Sequence, residues 1–151
     1  IRILAIAKKP QNWAADAEKD FAGRIQNFAE LEIILLAPAD ENSLAEKAKK
    51  IESGKLLAKI SPDDFVIACE PTGQNCSSEN FAEILRDARD TAKKVVFVVG
   101  GSSGLDAQIL ERANFKIAFS KMTFPHELFR VILLEQIYRG FTIVAGRKYH
   151  K

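Results

Sequence analysis

This sequence lacks the residues for a disulfide or metal framework. Its two cysteines, Cys69 and Cys76, are separated by six residues, a spacing that matches no metal-ligand pair or redox motif, and two are too few for a disulfide scaffold. Both read as reduced thiols. No apolar run approaches the roughly 18 residues of a membrane helix. The opening IRILAIA is too short for a signal peptide and has no cleavage signature. A soluble, intracellular, cytoplasmic protein without membrane or metal is expected. Repeats, low-complexity tracts and linkers are also absent, so 1–151 reads as a single domain. Its 47% hydrophobic residues are enough for an ordinary core.

Net charge is small, but it is unevenly placed. From Phe115 onward seven Lys or Arg (Lys116, Lys121, Arg130, Arg139, Arg147, Lys148, Lys151) face two acids (Glu127, Glu135). That third therefore carries +5, leaving −3 for the first 114 residues of a chain whose net charge is +2. A basic surface at one end suits a docking polyanion, because Lys and Arg contacts to phosphate supply most non-specific nucleic-acid affinity. A solvated charged face explains the same composition equally well.

Short runs rich in Ile, Val and Leu predict strands at 1–7, 31–36, 65–69, 95–99 and 115–119. Segments with helical spacing lie at 12–29, 41–60, 78–92, 105–113 and 126–141. In SSENFAEIL a serine followed by an acid is a helix-capping signature. Alternating strands and helices imply an α/β fold, a mostly parallel sheet with helices on both faces. Ligands of such sheets sit outside the carboxyl ends of the strands. Three loops there look specialised: EPTGQNCSS, GGSSG (100–104) and SKMTFPHE (120–127).

GGSSG lets backbone approach a ligand closely and leaves amides free. No Gly-Lys-Ser/Thr follows, so it is not a Walker loop, and Val99 occupies the place of the first glycine of a dinucleotide fingerprint. A nucleotide-like ligand without a nucleotide-phosphate motif is one reading, a tight strand-to-helix turn the other. His126 follows Pro125 at a helix start and reads as a loop-shaping residue. Met122 and Phe124 suit an adenine pocket and core packing alike. The helix HELFRVILLEQIYRGF is apolar on nearly all sides, which predicts burial on all sides and so a two-fold homodimer. Glu135 and Arg139, four apart, either pair with each other or turn toward the glycine loops.

GGSSGLD, FSKMTFPHELFRVILLEQIYRGF and the terminal YHK, in this order and spacing, resemble the SPOUT-class methyltransferases that modify a pseudouridine of large-subunit ribosomal RNA, the RlmH family. The resemblance covers essentially the whole chain. It implies a C-terminal trefoil knot, a homodimer and S-adenosylmethionine as methyl donor. The donor's site, carried over mainly as backbone, falls on Cys69, on Gly100, Gly101 and Gly104, and on Phe119, Ser120, Lys121, Met122, Thr123 and Phe124. Cys69 stands where relatives often have leucine, and Gln74 where they often have lysine.

The implied reaction is methylation at N3 of pseudouridine, whose proton must leave before or during attack. His150 is the candidate general base, because an unperturbed imidazole is largely neutral at pH 7. Tyr149 would stack on or hydrogen-bond the base. Arg139 would stabilise the developing anion. Arg147, Lys148, Lys151 and Glu135 are candidate substrate contacts, and the substrate is expected to be large-subunit RNA within the ribosome. Two alternatives stay open: a SPOUT methyltransferase acting on transfer RNA, and a non-catalytic flavodoxin-like or receiver-like binding module. The strand-end loops lack the acidic cluster that a receiver needs.

Overall fold

The computed structural model describes residues 1–40, 42–92 and 94–149. Strands and helices alternate as β1 (Arg2–Ile6), α1 (Asn12–Ile25), β2 (Glu32–Leu36), α2 (Ala45–Leu57), β3 (Asp64–Asn75), α3 (Ser78–Thr91), β4 (Lys94–Val99), α4 (Ala107–Arg112), β5 (Phe115–Ala118) and α5 (His126–Val144). The five strands form one sheet in the order β2-β1-β4-β3-β5, with every pairing parallel. That order differs from the 2-1-3-4-5 of flavodoxin-like and receiver folds, which removes the binding-module alternative at the level of topology.

Side chains alternate across a strand, and here both faces are apolar because helices cover both. Ile3, Ala5, Ile67, Val95 and Phe97 point to the face carrying α1, α3 and α5. Leu4, Ile6, Val66, Ala68, Val96 and Val98 point to the face of α2 and α4. The amphipathic α3 lays Phe81, Leu85 and Ala88 on the core. Its N-terminus is closed as expected, with Ser77 Oγ accepting the Asn80 N–H at 3.2 Å.

Element ends differ from the sequence expectation for local reasons. The α1 helix stops at Ile25, not 29, because the chain turns back there and stacks Phe28 on Phe141, 5.6 Å between ring centres. The α5 helix runs on to Val144, beyond the expected 141, and stops just before Gly146 at φ 63°. The β3 strand outruns 65–69 because Gln74 and Asn75 rejoin β5 after an irregular 70–73 segment, so that Ile117 partners both Cys69 and Gln74.

Arg130 corrects the picture of a wholly basic C-terminal surface. It is 2% exposed and donates through Nε to Glu18 Oε1 at 2.8 Å, tying α5 to α1. Two glycines in helices, Gly23 in α1 and Gly54 in α2, have open space where a Cβ would stand. Replacing either with alanine removes unfolded-state freedom without a clash. Gly23→Ala and Gly54→Ala should each stabilise the protein by about 0.5–1 kcal/mol, read as a higher urea midpoint at unchanged slope.

Candidate active site

The carboxyl ends of β3, β4 and β5 open into a cavity of about 280 Å³, close to the lower size of small-molecule pockets, roughly 300 Å³. Its walls come from the three loops singled out in the sequence and from the start of α5. Cys69, Glu70 and Pro71 lie within β3, where its irregular segment begins; Gly100–Ser102 and Gly104 follow β4; Phe119, Ser120 and Met122–Phe124 follow β5; His126 and Phe129 close it from α5. Of the residues expected around the donor, Lys121 alone does not line this cavity.

GGSSG is both a tight turn and a pocket wall. The Gly104 N–H donates to Gly101 O at 2.9 Å and Gly104 adopts φ 80°, a conformation few residues but glycine accept. A Cβ on Gly100 would stand 2.9 Å from the Gly104 carbonyl carbon, and one on Gly101 2.6 Å from Glu52 Oε2. No side chain fits at those two positions without displacement, which keeps this wall backbone. Met122 is 76% exposed, so core packing does not explain it. Its N–H donates to Ser120 Oγ at 2.9 Å, curling the loop over the cavity mouth. Phe124 does pack, against Phe129. His126 is exposed at the first position of α5.

Cys69 is half-buried at the cavity and burial pushes its thiol up; Cys76 is shifted in the same direction by the same cause. Both are poor nucleophiles near neutral pH, since the thiolate is the reactive form. Among the described residues no group of His, Cys, Asp and Glu is placed to hold a metal ion, and no helix is long and apolar enough to cross a membrane.

A second cluster lies on α5 and the segment after it. Gly146, at φ 63°, ends the helix and turns the chain back, with the Arg147 N–H donating to Thr142 O at 2.8 Å. Tyr149 then folds onto the outer face of α5. Its hydroxyl donates to Glu135 Oε1 at 3.2 Å, and its ring meets Tyr138 edge-on at 4.8 Å. Arg139 also donates to Glu135 Oε1, from Nε at 3.0 Å, and its guanidinium lies 4.8 Å from the Tyr149 ring centre. Glu135 and Arg139 therefore pair and do not face their own chain's glycine loops. The bond to Glu135 is the main reason the Arg139 pKa is raised. Desolvation first, then the Glu135 charge, raises that of Tyr149, which stays a neutral donor at physiological pH. Arg147 lies over the Phe28 ring at 4.6 Å, and Lys148 is exposed. His150 and Lys151 fall outside the described residues.

The two clusters sit apart within one chain. His126 and Glu135 are nine residues apart on α5, about 14 Å along the axis at 1.5 Å per residue. Leu133, Ile137 and Phe141 face the core, whereas Leu128, Ile132, Glu135 and Arg139 recur at the spacing of the opposite stripe. Leu128 is 37% exposed at the head of that stripe.

Sequence reading missed Glu52 and Ser53, both buried on α2 beneath the Gly100–Gly104 turn. Their signal was present: Ala48, Glu52 and Leu56 share a four-residue spacing, so an acid occupies the apolar stripe.

Over residues 1–150 the sequence matches the family model described as a predicted SPOUT methyltransferase. Similar proteins include the ribosomal RNA large subunit methyltransferase H of Carboxydothermus hydrogenoformans, 41% identical over 161 residues, with 100% of this chain and 99% of the relative covered. The proteins of the same name from Clostridium botulinum and Caldicellulosiruptor saccharolyticus are 41% and 39% identical over 157 and 153 residues, at the same coverage.

Proposed function

The chain belongs to the SPOUT methyltransferase family, and from that premise we propose that it methylates N3 of a pseudouridine in large-subunit ribosomal RNA, using S-adenosylmethionine, on the ribosome in the cytoplasm. The observation that carries this reading is the convergence of three strand-end loops on one cavity whose β4 wall is glycine backbone.

The residues present fit the donor. Backbone at Cys69, Gly100, Gly101 and Gly104 admits close approach, and Phe119, Phe124 and Phe129 offer apolar surface for an adenine. Lys121, outside the cavity wall, is left to phosphate contact. When bound, the donor supplies an activated methyl group. The protein must hold N3 in line, remove its proton and carry the charge that develops. Arg139, held cationic beside Glu135, supplies that charge; Tyr149, held neutral, supplies a hydrogen bond or a stacking face. His150 takes the proton in this scheme, and Arg147, Lys148 and Lys151 meet phosphates.

Tyr149 lies on the stripe of α5 that faces away from its own cavity, which supports a scheme in which a second copy brings its Tyr149 to that cavity. The protein is accordingly proposed to act as a homodimer, with Leu128, Val131 and Ile132 in the interface. The trefoil knot implied by the family is consistent with the close passage of β5 beside Gly73, where a Cβ would stand 2.7 Å from the Ile117 backbone.

The direct test is transfer of labelled methyl to ribosomes lacking this modification, beside a matched set lacking the pseudouridine. Incorporation into large-subunit RNA is expected only in the first set. No incorporation into either by folded protein would refute the ribosomal assignment, and incorporation into free transfer RNA instead would replace it.

A further inference from the structure

The Gly100–Gly104 turn is braced from behind by α2. Ser53 Oγ accepts the Asp106 N–H at 3.1 Å, at the far end of the turn. Glu52, 5% exposed, accepts the Ala39 N–H through Oε1 at 2.9 Å and so ties α2 to the segment after β2. Among the described residues its other oxygen, Oε2, has no hydrogen-bond partner. That oxygen lies against Gly101, 2.6 Å from the place a Cβ would take, and Gly101 is itself a wall of the cavity. Lys49, one turn earlier on α2, is paired with Glu46 at 3.7 Å.

Burying a carboxylate with one oxygen unsatisfied and no ion-pair partner is unfavourable, and such groups are retained where something compensates them. We infer that Glu52 determines charge specificity at this cavity: through the missing side chain of Gly101 its carboxylate favours a cationic ligand on the turn over a neutral one of the same shape. The inference rests on the proposed donor site. The donor carries a positive sulfonium, and its product, once the methyl has left, is a neutral thioether. A fixed negative charge behind the turn would hold the first and release the second, its field strengthened by the low polarity of its surroundings.

The test is calorimetric and needs no turnover. Wild type and Glu52→Gln are titrated with S-adenosylmethionine, with sinefungin, which bears an ammonium group where the donor bears its sulfonium, and with neutral S-adenosylhomocysteine. The Gln variant keeps an acceptor for Ala39 N–H and removes the charge. The preference for sinefungin over S-adenosylhomocysteine is expected to fall by about tenfold, equivalent to about 1.4 kcal/mol, with affinity for the neutral compound nearly unchanged. A purely structural role would weaken all three ligands together, and an unchanged preference in the folded variant would overturn the inference. Equal affinity of wild type for sinefungin and S-adenosylhomocysteine would overturn it without any variant. Failure of wild type to bind any of the three would instead refute the donor site itself, and the inference with it.

Discussion

Mixing two inactive variants is expected to restore activity. One carries Arg139→Ala and Tyr149→Ala and lacks the cluster on α5; the other carries Cys69→Phe, which places a ring at the cavity. Each alone should fall at least about 100-fold in methyl transfer, the scale on which positioned acid–base and charge-stabilising groups act. In a mixed dimer one composite site collects both defects and the other collects neither. Random exchange makes half the dimers mixed, so about one quarter of the sites recover. The expectation follows from α5, whose inner stripe packs on the core while Glu135 and Arg139 lie on the outer one, about 14 Å along the axis from His126. Were one chain to supply both clusters to its own site, the mixture would stay at the level of its parents. Circular dichroism and sedimentation on each parent separate a lost residue from a lost fold or dimer.

How much of this was legible before the fold was known differs from element to element. VVFVV and FVIAC read as strands because runs apolar on both faces occur where helices cover both sides of a parallel sheet. Their order was not legible, since periodicity tells which face a residue takes and nothing about its neighbours. The cavity was legible only as three loops at strand ends, because ligands of parallel sheets sit there; their glycines and hydroxyls suited an ordinary turn equally well. Arg130 was not legible, and Glu52 showed only as an acid in the apolar stripe of α2. Charged residues are taken as surface by default, and these two are buried for reasons more than twelve residues away in sequence: Arg130 for its bond to Glu18, and Glu52 for its bond to Ala39 and its contact with Gly101. Tyr149 was suspected from its cationic neighbours. Its partners Glu135 and Tyr138 became visible only once Gly146 was seen to turn the tail back.

Gly73→Ala is expected to be the most damaging single methyl that can be added to this chain. The new carbon would stand 2.7 Å from both the backbone N and C of Ile117 and 2.8 Å from the Lys116 carbonyl carbon, nearer than non-bonded carbons come. The obstacle is main chain, which cannot turn aside as a side chain does. Neither strand can retreat, because Ile117 is held by Cys69 before the irregular segment and by Gln74 after it. Relief would require breaking the β3–β5 pairing, which carries Phe119–Phe124 to the cavity. A loss above about 4 kcal/mol is expected, enough to leave little folded protein, and it should appear as a collapse of the urea midpoint. The folded remainder should lose affinity for S-adenosylmethionine as well. Gly54→Ala adds the same methyl in open space and serves as the control. If Gly73→Ala unfolded at the wild-type midpoint, the close passage of β5 beside Gly73 would not be a constraint in solution.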